Sequence, residues 1–137
     1  MSKYLDHIKT LPVFTILTTG RTGSDLLQSI LDSHPQVLTF NGHFQFHLFW
    51  RESICVKAKK FSLDDFIDEF IGKHIEKFKS KYDLIEGKER LGINFDQSIN
   101  IDTIKYRQKF LEIMGEHVPS SRNCLLGIYG AYTICIG

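Results

Sequence analysis

The sequence predicts an α/β protein, a helix-rich three-layer α/β/α arrangement around a short parallel sheet. Three observations predict it. A β-rich apolar run at residues 13–18 ends in a glycine turn at Thr19-Gly20; helical apolar spacing starts directly after it, from Ser24; and a second β-prone run follows at residues 36–40. Strand, glycine loop, helix and strand is the order from which parallel sheets are built, because parallel neighbours need a crossover between them.

In the first element, Val13-Phe14-Thr15-Ile16-Leu17-Thr18 shows no helical period and is apolar on both faces, which reads as a buried strand. Leu26, Leu27, Ile30 and Leu31 then fall on one helical face, and Pro35 stops that helix just past His34. Residues 36–40 form the second strand and open into the Asn41-Gly42 turn. Residues 43–57 hold three phenylalanines and a tryptophan, at first alternating with His43, Gln45 and His47. This pattern fits a strand, an irregular aromatic lid or a helix equally, and its rings fit core packing better than an exposed binding surface.

The clearest helix starts at Ser62, where Leu63, Phe66, Ile67, Phe70, Ile71, Ile75 and Phe78 make one stripe and Ser62 with Asp65 forms a variant of the capping box. A further helix is expected over residues 102–114, capped by Asp102, directing Ile104, Leu111 and Met114 inward and ending at Gly115. Residues 120–137 are apolar, interrupted by Gly127 and Gly130, and read as helix. The sequence stops within that apolar run, so a chain truncated at its carboxyl end, lacking partner strands, is the expectation.

Composition narrows the function classes. A hydrophobic share of 42% over 137 residues suits one domain spanning residues 1–137. With a net charge of +1, nothing global points to nucleic acid or an anionic membrane, so any anion site is local. The apolar stretch 124–136 is shorter than the roughly 20 residues a membrane span needs. Cys55, Cys124 and Cys135 lack a C-x-x-C pair, which argues against a zinc knuckle or disulfide framework and for reduced thiols. Residues 1–12 alternate charged and apolar side chains and do not form a secretory signal, so a cytoplasmic location is expected.

The chemistry concentrates in Thr18-Thr19-Gly20-Arg21-Thr22-Gly23-Ser24, between predicted strand and helix. A loop there aims backbone N–H groups at one point, and a helix N-terminus carries about half a positive elementary charge. Gly20 and Gly23 let the backbone approach an anion; Arg21 adds a permanent charge with forked donors; Thr22 and Ser24 supply hydroxyls. A Walker A loop, G-x-x-x-x-G-K-[ST], is not matched.

The segment resembles the 5′-phosphosulfate loop of the PAPS-dependent sulfotransferases (PAPS is 3′-phosphoadenosine 5′-phosphosulfate). Arg21-Thr22-Gly23-Ser24-Asp25-Leu26-Leu27, continued by Leu31-Asp32-Ser33-His34-Pro35, carries the resemblance, which is greatest to the branch acting on carbohydrates and lipids. About thirty residues are covered. The resemblance implies a P-loop NTPase-like fold and transfer of a sulfuryl group from PAPS to a hydroxyl acceptor, without metal. It places donor binding on Thr19, Gly20, Arg21, Thr22, Gly23, Ser24 and Asp25, and has Arg21 neutralise charge on the leaving oxygen.

Asp25 departs from the Ser or Thr common there in the family. Its backbone N–H can still serve while its carboxylate turns away, since consecutive helical side chains diverge by about 100°. Many relatives place a glutamate or histidine after the second strand, and His43 stands there as candidate general base, with an ordinary pKa suited to the task. His43 and His47 find no third ligand by spacing, so zinc is not expected. The Arg and Ser with which the family grips the 3′-phosphate have no counterpart before Gly137, and the context of Arg122 does not match. Two other functions stay open: a small-molecule kinase using ATP and magnesium, and a non-catalytic family member serving as an interaction module through residues 44–50.

Overall fold

The computed structural model describes residues 2–17, 23–32, 34, 36–39, 44–53, 61–75, 100–115 and 117–136. Six helices lie among them: α1 (Ser2–Ile8), α2 (Ser24–Asp32), α3 (Phe46–Arg51), α4 (Leu63–His74), α5 (Thr103–Met114) and α6 (Ser121–Ile136). The chain divides into two units, one of Met1–Leu11, Gln45–Ile75 and Ile101–Gly137, the other of Pro12–Phe44 and Glu76–Asn100.

The described residues contain no strand, which overturns the α/β expectation of a P-loop NTPase-like, three-layer fold around a parallel sheet. Residues 12–17 have no regular secondary structure and join no ladder, and residues 37–39 likewise form none. The physical reason lies in what a strand requires. A β-prone run is only half of a structure whose N–H and C=O groups must be met by neighbours, and propensity says nothing about whether those neighbours exist.

The first unit is helical, and its helices begin and end where local chemistry dictates. Ser62 caps α4, its Oγ accepting from the Asp65 N–H at 3.4 Å. Asp64 and Asp65 occupy the first turn and Lys73 and His74 the last, each sign opposing the nearby end of the helix dipole. The Asp102 carboxylate caps α5 more closely, accepting from the N–H groups of Ile104 at 2.9 Å and Lys105 at 3.1 Å. That helix ends at Gly115, whose φ of +43° favours a residue without Cβ and whose N–H donates to the Leu111 carbonyl at 2.8 Å. Ser120 caps α6, its Oγ accepting from Asn123 N–H at 3.1 Å.

The core forms where the helical stripes meet. Phe66, Ile67 and Phe70 of α4 are buried, as their spacing predicts, while Phe78 lies outside the described residues. On α5 the inward face is Tyr106, Phe110, Ile113 and Met114. Ile104 is 70% exposed, against expectation: it precedes Tyr106 by two positions, or about 200° around the helix. Segment 46–51 resolves as helix α3, with Phe49 buried. Phe49 meets Phe66 at 5.2 Å and Phe70 at 5.7 Å between ring centroids, and Trp50 sits 5.6 Å from Phe61 and 5.7 Å from Phe66. These rings pack as core, within the range where aromatic pairs attract.

Helix α6 is covered by both α5 and α1. Its two glycines permit this. A Cβ on Gly127 would lie 3.0 Å from Met114 Sδ and 3.1 Å from Phe110 Cε2, and one on Gly130 would lie 2.5 Å from Ile8 Cδ1. Rather than breaking the helix, they let neighbours approach its backbone. The Tyr106 hydroxyl donates to the Ile128 carbonyl at 3.0 Å, joining α5 to α6 inside the core. Outside it, Arg107 of α5 clasps two carboxylates of α4, Nε to Asp68 Oδ1 and Nη2 to Asp64 Oδ1, both at 2.6 Å.

Candidate anion-binding site

Of the phosphate-loop candidates, Gly23, Ser24 and Asp25 stand at the start of α2, in the second unit. Gly23 has φ +77°, a left-handed conformation that side-chain-bearing residues resist, and no atom of the described residues lies within 4 Å of where its Cβ would stand. Its carbonyl accepts from the Leu27 N–H at 3.1 Å, closing the first turn of the helix. The main-chain N–H groups of Ser24 and Asp25 therefore lie in that first turn, at the positive end of the dipole. The turn and the helix start occur where the sequence puts them.

Of the other predicted site residues, Thr19, Gly20, Arg21, Thr22 and His43 lie outside the described residues, as does the side chain of Asp25. The structure thus brings together Gly23, Ser24 and the Asp25 backbone. His47 is exposed on α3, in the first unit. No group of three or more metal-ligating side chains occurs among the described residues.

The expected burial around the loop is absent. Val13 is 61% exposed, Leu17 90% and Leu26 66%, and Phe14, Leu27 and Ile30 are exposed as well. The predicted strand and the predicted inward face of α2 both meet solvent, and no strand among the described residues covers either. After α2, a turn is held by the Val37 N–H donating to the His34 carbonyl at 3.1 Å and the Gln36 N–H donating to His34 Nδ1 at 3.2 Å. The imidazole of His34 thus takes part in the turn, while Ser33 and Pro35 lie outside the described residues.

Among the described residues of the helical unit, burial raises the pKa of two thiols and two phenols. Burial pushes the Cys124 thiol up to about 12, against a weaker opposing hydrogen bond at Ser120, and the Tyr129 phenol up to about 12. Burial likewise raises Tyr106 well above the ordinary phenol value. Cys135 is raised by burial too. Both Cys124 and Cys135 are free thiols. Arg107 is held in its charged form by Asp68 and then Asp64; its partners are internal, so it serves to join helices. Arg122 reaches the Lys9 carbonyl at 3.5 Å. Sequence reading foresaw neither arginine's partner, although the Asp64 and Asp68 spacing of four residues did mark one acidic face on α4.

No helix among the described residues is long and apolar enough to cross a membrane. Comparison of the chain with protein-family models, with curated proteins and with solved structures found no match in any of the three.

Proposed function

We propose that residues 19–25 bind the 5′-phosphosulfate end of PAPS and that the protein is a sulfotransferase acting on a hydroxyl of a carbohydrate or lipid-like acceptor. The observation that carries this reading is Gly23, which takes a left-handed conformation and hands the chain into α2 at Ser24 directly after Arg21-Thr22. What supports an anion there is a glycine that adds no Cβ beside the first turn of α2, whose N–H groups favour negative charge.

PAPS supplies the activated sulfuryl group, whose bond to the 5′-phosphate oxygen breaks as the acceptor oxygen bonds to sulfur. The chain's own residues do the rest. Backbone N–H groups between Gly20 and Asp25, with the Ser24 hydroxyl, would hold the 5′-phosphate in line for attack. Arg21 would neutralise the charge that grows on the departing bridging oxygen, a task suited to a guanidinium that never loses its proton. His43 would take the acceptor hydroxyl's proton on an imidazole nitrogen. Asp25 contributes its main chain, and an acid in the first helical turn also suits the dipole.

A thermal-shift comparison separates this proposal from an ATP-dependent kinase. PAP, the nucleotide left after transfer, raises the melting temperature without magnesium, and by more than ATP with magnesium does. A larger, magnesium-dependent shift with ATP overturns the sulfotransferase reading in favour of the kinase.

A further inference from the structure

We draw no further inference here: the strongest candidate, the exposed apolar side chains of residues 12–17 and of Leu26, Leu27 and Ile30 on α2, is a surface for which nothing in the structure shows what covers it.

Discussion

Replacing Phe66 by alanine should destabilise the helical unit more than any other single truncation on α4. Phe66 is 2% exposed, and its ring lies 5.2 to 5.9 Å from those of Phe49, Trp50, Phe61 and Phe110, so residues of α3, α5 and the segment just before α4 all close around it. Removing a buried phenylalanine ring costs about 3–5 kcal/mol in transfer and cavity terms together. A domain of this size holds about 5–15 kcal/mol in total, so about a fifth of the stability or more is at stake. With a urea slope of about 2 kcal/mol per molar, the midpoint should fall by roughly 2 M. The assay is urea unfolding followed by the fluorescence of Trp50, the chain's one tryptophan, which sits 5.7 Å from the Phe66 ring. Phe66→Leu, which keeps most of the apolar volume, should recover much of the loss. A cost below about 1 kcal/mol for Phe66→Ala, with an unchanged slope, would refute this packing.

Four further outcomes follow from the same geometry. Asp102→Ala should cost about 1 kcal/mol and more than Ser62→Ala, since the aspartate accepts two bonds at 2.9 and 3.1 Å and the serine one at 3.4 Å; thermal melts of both variants order them. Because Cys124, Tyr129 and Tyr106 have their pKa values raised by folding, the unfolded chain ionises first: stability is full below about pH 9 and declines as pH rises from about 9 toward 12. Urea midpoints at pH 8 and pH 10.5 measure that decline, and Cys124→Ala should make it shallower. Val13→Ser and Leu17→Ser should each change stability by less than about 0.5 kcal/mol, because both side chains already meet solvent, whereas a buried strand would lose several times that. Arg107→Ala should lower the melting temperature, by less in 1 M salt than in dilute buffer, because screening already weakens the pair in the parent protein.

How much could be read from the residues alone depended on whether the signal was local. Helices α4 and α5 were legible because their signals are written within one segment: Ser62 ahead of the Phe66–Phe70 face, Asp102 ahead of α5, Gly115 at its end; α6 showed only as an apolar run. Ile104 is apolar yet exposed, because its position around the helix turns it away from the face that Tyr106 and Phe110 bury. The aromatic segment resolved into α3 only through its ring partners on α4, which alternation along the chain does not encode. Gly127 and Gly130 looked like interruptions because their purpose, close approach by Phe110, Met114 and Ile8, depends on residues distant in sequence. The sheet failed for the same reason in reverse. Residues 13–18 carry strand propensity, but a ladder is a property of two segments, and the described residues supply no second one. At the candidate site the glycine turn and the start of α2 were readable, since a left-handed residue before a helix is local chemistry. Which side chains converge on it was not.

The most direct measurement is isothermal titration of the protein with PAP, alongside an Arg21→Ala variant whose circular dichroism and melting temperature match the parent. Saturable binding by the parent, with loss of at least tenfold in affinity on removing the guanidinium, is the predicted result. No heat of binding at millimolar PAP, or equal affinity in the two proteins, contradicts the assignment of residues 19–25 as the donor site.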